Sequence, residues 1–260
     1  MTSLPSDLRA LFLDLDGTLI GIHEDKLVKL LEPIYKKAFD SKVDSKIWGP
    51  AMMQSIKKML EYEGTLSKGQ RKADKVLLDV FIESFEKMSG ISHEEAKNIL
   101  DGAYRGEEFN DIKNECELFV EESAELLKVA RSKNLKIVLA TQPAFPEIAT
   151  VTRLSWLNLK FSDFDKVTFA ENWHTSKPHP KYFLDLISLL NIDAKDEIKP
   201  EQVLMVGNDH YFDMGASQAN LKTWFVGVGG VYEGHIEAKG KNKIDFQGSI
   251  KELTEAIRQL

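Results

Sequence analysis

The chain has 260 residues, 43% apolar and 29% charged, with 16 Gly and 8 Pro; these are the proportions of an ordinary globular protein and exclude a disordered, collagen-like or low-complexity chain. Its 34 Lys+Arg against 41 Asp+Glu give a formal charge of −7, which opposes the phosphate-driven binding that a nucleic-acid partner requires. The lone Cys116 can close no intramolecular disulfide, no stretch approaches an apolar membrane span, and the start Met1-Thr2-Ser3 lacks a basic-then-apolar leader, so a soluble, cytoplasmic protein with no membrane partner is expected.

The first predicted strand covers residues 10–15 and is near-continuously apolar, the pattern of a strand covered on both faces. It ends Leu13-Asp14-Leu15-Asp16-Gly17-Thr18-Leu19. Period two puts both carboxylates on one side of the strand, and Gly17 lets the backbone turn sharply away. Two carboxylates closing a buried run repel each other and lose hydration unless a cation or donors meet them. The bland reading is a polar strand end with a common Asp-Gly turn.

From His23 to about Cys116 the pattern turns helical. Leu27, Leu30, Leu31, Ile34, Tyr35 and Ala38 recur at three-and-four spacing, as do Val76, Leu77, Val80, Phe81 and Phe85. Gly64 and Gly90 read as stops, and Ser92 with Glu95 as a capping box. An all-helical second domain inserted at 22–116 is therefore expected, with the remaining unit formed by 1–21 and 117–260. The insertion is nearly neutral, with 16 Lys+Arg against 18 Asp+Glu.

Further apolar, β-rich runs follow at 136–140, 166–170, 202–206 and 223–228, with helical segments at 180–190, 213–219 and 249–260. Strand alternating with helix predicts a parallel α/β sheet with right-handed crossovers. In such sheets ligands bind at the carboxyl ends of the strands, and three of those ends carry polar signals. The second strand ends Ala140-Thr141-Gln142-Pro143, offering a hydroxyl and a backbone N–H. The loop after the third contains Ser176-Lys177-Pro178-His179-Pro180, a lysine shortly before a Pro-started helix. The fourth ends Val206-Gly207-Asn208-Asp209-His210-Tyr211-Phe212-Asp213, two more carboxylates four apart. Singly, Thr141 and Asp209 read as helix caps and Lys177 as a solvated loop residue; all of these features in order on successive strands do not.

This ordered set resembles the haloacid-dehalogenase superfamily of phosphotransferases, whose motifs are Asp-x-Asp-Gly-Thr, Thr or Ser, Lys, and paired acids after Gly; the likeness runs from Ala10 to about Val228. The resemblance implies a Rossmann-like parallel-sheet core with a helical cap domain inserted after the first motif. It implies a Mg²⁺-dependent phosphatase acting on a small phosphorylated metabolite. Asp14 would be the nucleophile that forms an aspartyl-phosphate, and Asp16 would protonate the leaving oxygen and later accept a proton from water. Thr141, the Gln142 backbone N–H and Lys177 would hold the phosphoryl oxygens. Asp14, the Asp16 backbone carbonyl and Asp209 would bind Mg²⁺, with Asp213 in support. The chain departs from the pattern where Gln142 replaces a common Asn and where Gly-Asn-Asp replaces Gly-Asp. His23 and the basic turn Lys68-Gly69-Gln70-Arg71-Lys72 are candidates for a substrate's distal group. The same motifs fit a sugar phosphomutase. Metal-independent haloacid dehalogenation is disfavoured by Asp16, Asp209 and Asp213, and a phospho-aspartate receiver by the third strand ending Phe169-Ala170-Glu171-Asn172 without Asp. Oligomeric state leaves no mark in the sequence.

Overall fold

The computed structural model describes residues 3–67, 69–192, 194–227 and 232–260. Lys68 of the basic turn and Val228, at the end of the fifth predicted strand, lie outside them.

Strand β1 (Ala10–Leu13) is buried along its whole length. Beyond the Gly17 turn comes a two-residue strand, β2 (Ile20–Gly21), followed by α1 (Glu24–Phe39), α2 (Ser45–Leu60), α3 (Leu77–Ser89), α4 (His93–Arg105), α5 (Glu107–Asp111) and a 3-10 turn at Ile112–Glu115. β3 (Glu117–Leu118) then pairs antiparallel with β2, Ile20 opposite Leu118 and Gly21 opposite Glu117, so the chain enters and leaves the helical excursion side by side. After it follow α6 (Val120–Ser132), β4 (Lys136–Leu139), α7 (Glu147–Trp156), β5 (Lys166–Val167), α8 (Pro180–Asn191), β6 (Val203–Gly207), β7 (Lys222–Phe225), β8 (Phe246–Gln247) and α9 (Ile250–Arg258). No helix among the described residues is long and apolar enough to cross a membrane.

Six strands form one sheet in the order β5-β4-β1-β6-β7-β8, and every neighbouring pair is parallel. β1 lies between β4 and β6, with Leu13 level with Leu139 and Val206. Both faces are covered, as the continuous apolar runs require. Phe12, Val138, Val203 and Met205 pack beneath Tyr182, Phe183 and Leu186 of α8. Leu11, Leu13, Ile137, Leu204 and Val206 belong to the opposite apolar cluster, which joins Leu126 of α6 and Leu253 of α9 and runs on into the insertion. This is the α/β, Rossmann-like parallel sheet expected from the alternation.

Local signals explain the helix boundaries. On α1, Leu27, Leu31 and Ile34 are buried at the predicted spacing. Gly90 ends α3 at φ 74°, a left-handed conformation that costs glycine nothing. Ser92 accepts from the Glu95 N–H (3.3 Å), but Glu95 turns its carboxylate to Lys42 (3.1 Å), so only half of the expected capping box forms. The full box appears at α9, between Ser249 and Glu252. The segment predicted helical at 213–219 is a 3-10 turn, Met214–Ala219, in which Gly215 lies so close to Pro178 that an added Cβ would stand 2.4 Å from it. The strand expected at 166–170 covers only Lys166–Val167; the Thr168 N–H still donates to the Leu139 carbonyl (3.1 Å), but by Ala170 the backbone has turned to the Phe145 carbonyl (2.9 Å).

Candidate active site

Because β4, β1 and β6 are neighbours, the segments leaving their carboxyl ends converge above one edge of the sheet. Asp14 follows β1 directly and remains in the ladder, its N–H donating to the Val206 carbonyl at 3.0 Å. The Lys177 ammonium, from the segment before α8, donates to Asp14 Oδ1 at 2.7 Å and to Asp213 Oδ1 at 2.6 Å. All three side chains are buried. Two carboxylates on one ammonium leave a negative charge uncompensated. Burial, reinforced by Asp213, accordingly raises Asp14 to about 7 in spite of Lys177. Asp213 is likewise raised, by burial first and then by Asp209. Burial alone would lower Lys177, but its two carboxylates outweigh it and hold the ammonium charged.

The second oxygen of Asp213 accepts from the backbone N–H groups of Asn208 (3.1 Å) and Asp209 (3.0 Å), which ties Lys177 to the turn after β6. Gly207 opens this turn; a Cβ there would stand 2.2 Å from Asp213 Oδ2, so only glycine admits the carboxylate. Asn208 reaches back to the first motif and accepts from the Thr18 hydroxyl (3.2 Å).

Asp209 is arranged differently. Its Oδ1 accepts from the N–H groups of Tyr211 (2.8 Å) and Phe212 (2.7 Å), and its Oδ2 meets His235 Nδ1 (2.6 Å). Although burial opposes it, these bonds lower Asp209, and the bond to Asp209 raises His235 to about 8. Glu24, at the start of α1, completes a group of three potential ligand atoms within 4.8 Å of one another.

Thr141 is buried beside β4. Its carbonyl accepts from the hydroxyls of Thr168 (2.9 Å) and Tyr182 (2.8 Å). Gln142 has a task that its backbone alone would not reveal: its amide clamps the backbone of Lys177 from both sides, accepting from the Lys177 N–H (3.0 Å) and donating to the Lys177 carbonyl (3.2 Å). The longer glutamine spans the gap between the loop after β4 and the lysine segment.

Asp16 leaves the cluster. Its Oδ2 pairs with Arg153 of α7, a buried guanidinium absent from the sequence-level candidates, while its Oδ1 is buried with no hydrogen-bond partner among the described residues. A lone arginine in an amphipathic helix reads as surface, and its partner lies far back in the chain; the clue was that its neighbours Ala149 and Leu154 are of core type. His23 is exposed and lies against the Tyr232 ring at 5.6 Å, directly before Glu24, and Gly69 to Lys72 of the basic turn are exposed.

The donor set suits a hard divalent cation: carboxylate oxygens predominate, and Asp14 and Asp213 together carry more charge than Lys177 neutralises. The helical insertion is hydrogen-bonded to the segment after β5 and to α7. The N–H groups of Gly64 and Leu77 donate to the carbonyls of His174 and Trp173 (both 2.8 Å), and the Leu78 N–H to Ala170 (2.9 Å). Trp156 of α7 donates to Asn110 of α5 at 3.0 Å.

Comparisons with known proteins agree with this architecture. The chain is 23% identical over 219 residues to the pyrophosphatase PpaX of Bacillus cereus (strain B4264), covering 83% of this chain and 82% of that one. Its fold resembles the crystal structure of a predicted phosphoglycolate phosphatase from Haemophilus somnus 129pt, with a TM-score of 0.55 at 16% identity over 96% and 98% of the two chains. It also resembles the L-2-haloacid dehalogenase of Xanthobacter autotrophicus with chloropropionic acid covalently bound, with a TM-score of 0.52 at 16% identity over 97% and 99%. The description haloacid dehalogenase-like hydrolase matches residues 8–219, which takes in all four strand-end motifs and the helical insertion. The chain belongs to the haloacid dehalogenase-like hydrolases, and it is an enzyme of that family.

Proposed function

We propose that this hydrolase is a cytoplasmic, Mg²⁺-dependent phosphatase that cleaves a small phosphorylated metabolite through an aspartyl-phosphate on Asp14. The observation that carries the reading is the buried Asp14–Lys177–Asp213 cluster at the end of β1: an acid with one oxygen unbonded among the described residues, a fixed cation beside it, and an excess of negative charge that a metal would relieve.

Asp14 would attack phosphorus, and the leaving oxygen would take its proton from Asp16. Water would then cleave the acyl phosphate, giving its proton to Asp16 and restoring Asp14. Lys177 would neutralise phosphoryl charge while keeping Asp14 in line, with Thr141 and the Gln142 N–H as donors to the phosphoryl oxygens. Asp14, the Asp16 carbonyl, Asp209 and Asp213 are the residues that would hold Mg²⁺. When bound, the ion supplies charge neutralisation to a phosphoryl group that otherwise repels the nucleophile. We assign 1–21 and 117–260 to the catalytic core and 22–116 to a cap that excludes bulk water; the β2–β3 pair at the two crossings supports this division.

The test is release of inorganic phosphate from a panel of phosphorylated metabolites and pyrophosphate, with Mg²⁺ and after EDTA, beside halide release from 2-chloropropionate. Metal-dependent phosphate release is expected. Halide release indifferent to EDTA would overturn the reading in favour of dehalogenation, and phosphoryl return to a sugar without free phosphate would make the chain a mutase.

A further inference from the structure

We infer that Arg153 is a positioning residue for Asp16: it holds one carboxylate oxygen so that the other faces the reacting group. The inference rests on the phosphatase reading above. Arg153 is 1% exposed, and a guanidinium brought so far out of water is costly unless paired. Among the described residues its one carboxylate partner is Asp16, whose Oδ2 meets Nη1. Two further contacts fix the plane of the guanidinium: Nε donates to the Ala149 carbonyl of its own helix (3.2 Å), and the central carbon stands 4.2 Å from the centroid of the Phe145 ring. The pair is held by Nη1 alone, with Nη2 buried and without a hydrogen-bond partner among the described residues, so the contact pins one Asp16 oxygen and sets the direction from which it is held. That contact commits Oδ2 and leaves Oδ1 as the acid's one oxygen without a partner. Oδ1, closed to solvent in this structure, is therefore the oxygen left uncommitted for a leaving group or for the hydrolytic water.

The support of Arg153 is shared between the two parts of the fold. Phe145, from the loop after β4, meets Tyr104 of α4 edge-on, with centroids 6.1 Å apart at 75°. The helical insertion thus covers the ring that covers the guanidinium that holds Asp16. Among the described residues Arg153 makes no hydrogen bond to Asp14, Lys177 or Asp213, so its effect on the reaction passes through Asp16 alone.

Arg153→Met keeps bulk and removes the fork. It should lower kcat on an alkyl phosphomonoester roughly ten-fold or more while moving KM little, and it should lower turnover of p-nitrophenyl phosphate far less, because a nitrophenolate leaves without a proton. In an Asp16→Ala background the same substitution should cost nothing further on p-nitrophenyl phosphate. Arg153→Lys should recover part of the loss. Thermal melts give an answer independent of turnover: Asp16→Ala strands a buried guanidinium, so Asp16→Ala with Arg153→Met should melt higher than Asp16→Ala alone. Equal losses on both substrates, or an additive loss and a lower melting temperature in the double variant, would overturn the positioning role and leave the phosphatase reading intact. A wild-type chain inert towards both phosphates with Mg²⁺ would instead overturn the phosphatase reading, and this inference with it.

Discussion

Asp14 sits under opposing pressures, since burial and Asp213 favour its protonated form and Lys177 its ionised one. Asp14→Asn removes the nucleophilic oxygen and should cost more than about 10³-fold in turnover. It also reduces the cluster from two carboxylates on one ammonium to one, so the variant should melt no lower than the parent. Phosphate release and a thermal melt check the two halves; an active variant would exclude Asp14 as nucleophile. At this scale the residues legible in the sequence were those announced by local pattern: Asp14 and Asp16 end a run of apolar residues, and Asp209 and Asp213 follow a glycine turn. The roles of the other polar side chains depend on distant partners. Arg153 gains meaning only from Asp16, and the Gln142 amide only from the Lys177 backbone, neither of which spacing along the chain reveals.

Among the elements, the turn between β1 and β2 is tightly constrained. Gly17 has φ 83°, its N–H donates to the Ile20 carbonyl at 2.6 Å, and a Cβ on it would stand 2.2 Å from Asn208 Nδ2. Gly17→Ala therefore combines a left-handed backbone penalty of about 1–2 kcal/mol with displacement of the side chain that links Thr18 to the turn after β6. A fall in melting temperature of roughly 4 °C or more is expected, with a concurrent loss of activity; a melt unchanged by the substitution would show that the loop relaxes freely. The long strands and periodic helices were readable because each carries several residues of one period. β2, β3 and β8 are two residues long and carry no period at all, and the 3-10 turn Met214–Ala219 was read as a helix because its apolar spacing fits both.

For the whole molecule, the proposed cap role of the helical insertion is the feature that bears on substrate size. The insertion is hydrogen-bonded to residues 170–174 on one side and to α7 on the other, and Asp14 is only 5% exposed. A phosphorylated metabolite should therefore be turned over far faster than a phosphopeptide, measured as kcat/KM on the intact chain; a preference for the phosphopeptide would contradict the small-substrate reading. The insertion was legible as a helical block, and its docking on α7 was not, because the contact joins residues with no shared motif. The pairing of β2 with β3 also bears on how the molecule assembles. β1 must find β4 across the entire insertion, and the entropy of closing a loop grows with its length while the contacts that repay it come only at the end. Once the insertion has folded, its two ends emerge as adjacent strands, and the search that joins Ala10 to Lys136 shrinks to the short stretch before Ile20 and the stretch through α6 after Leu118. The helical block would then work as a folding staple, with the catalytic sheet completed around it.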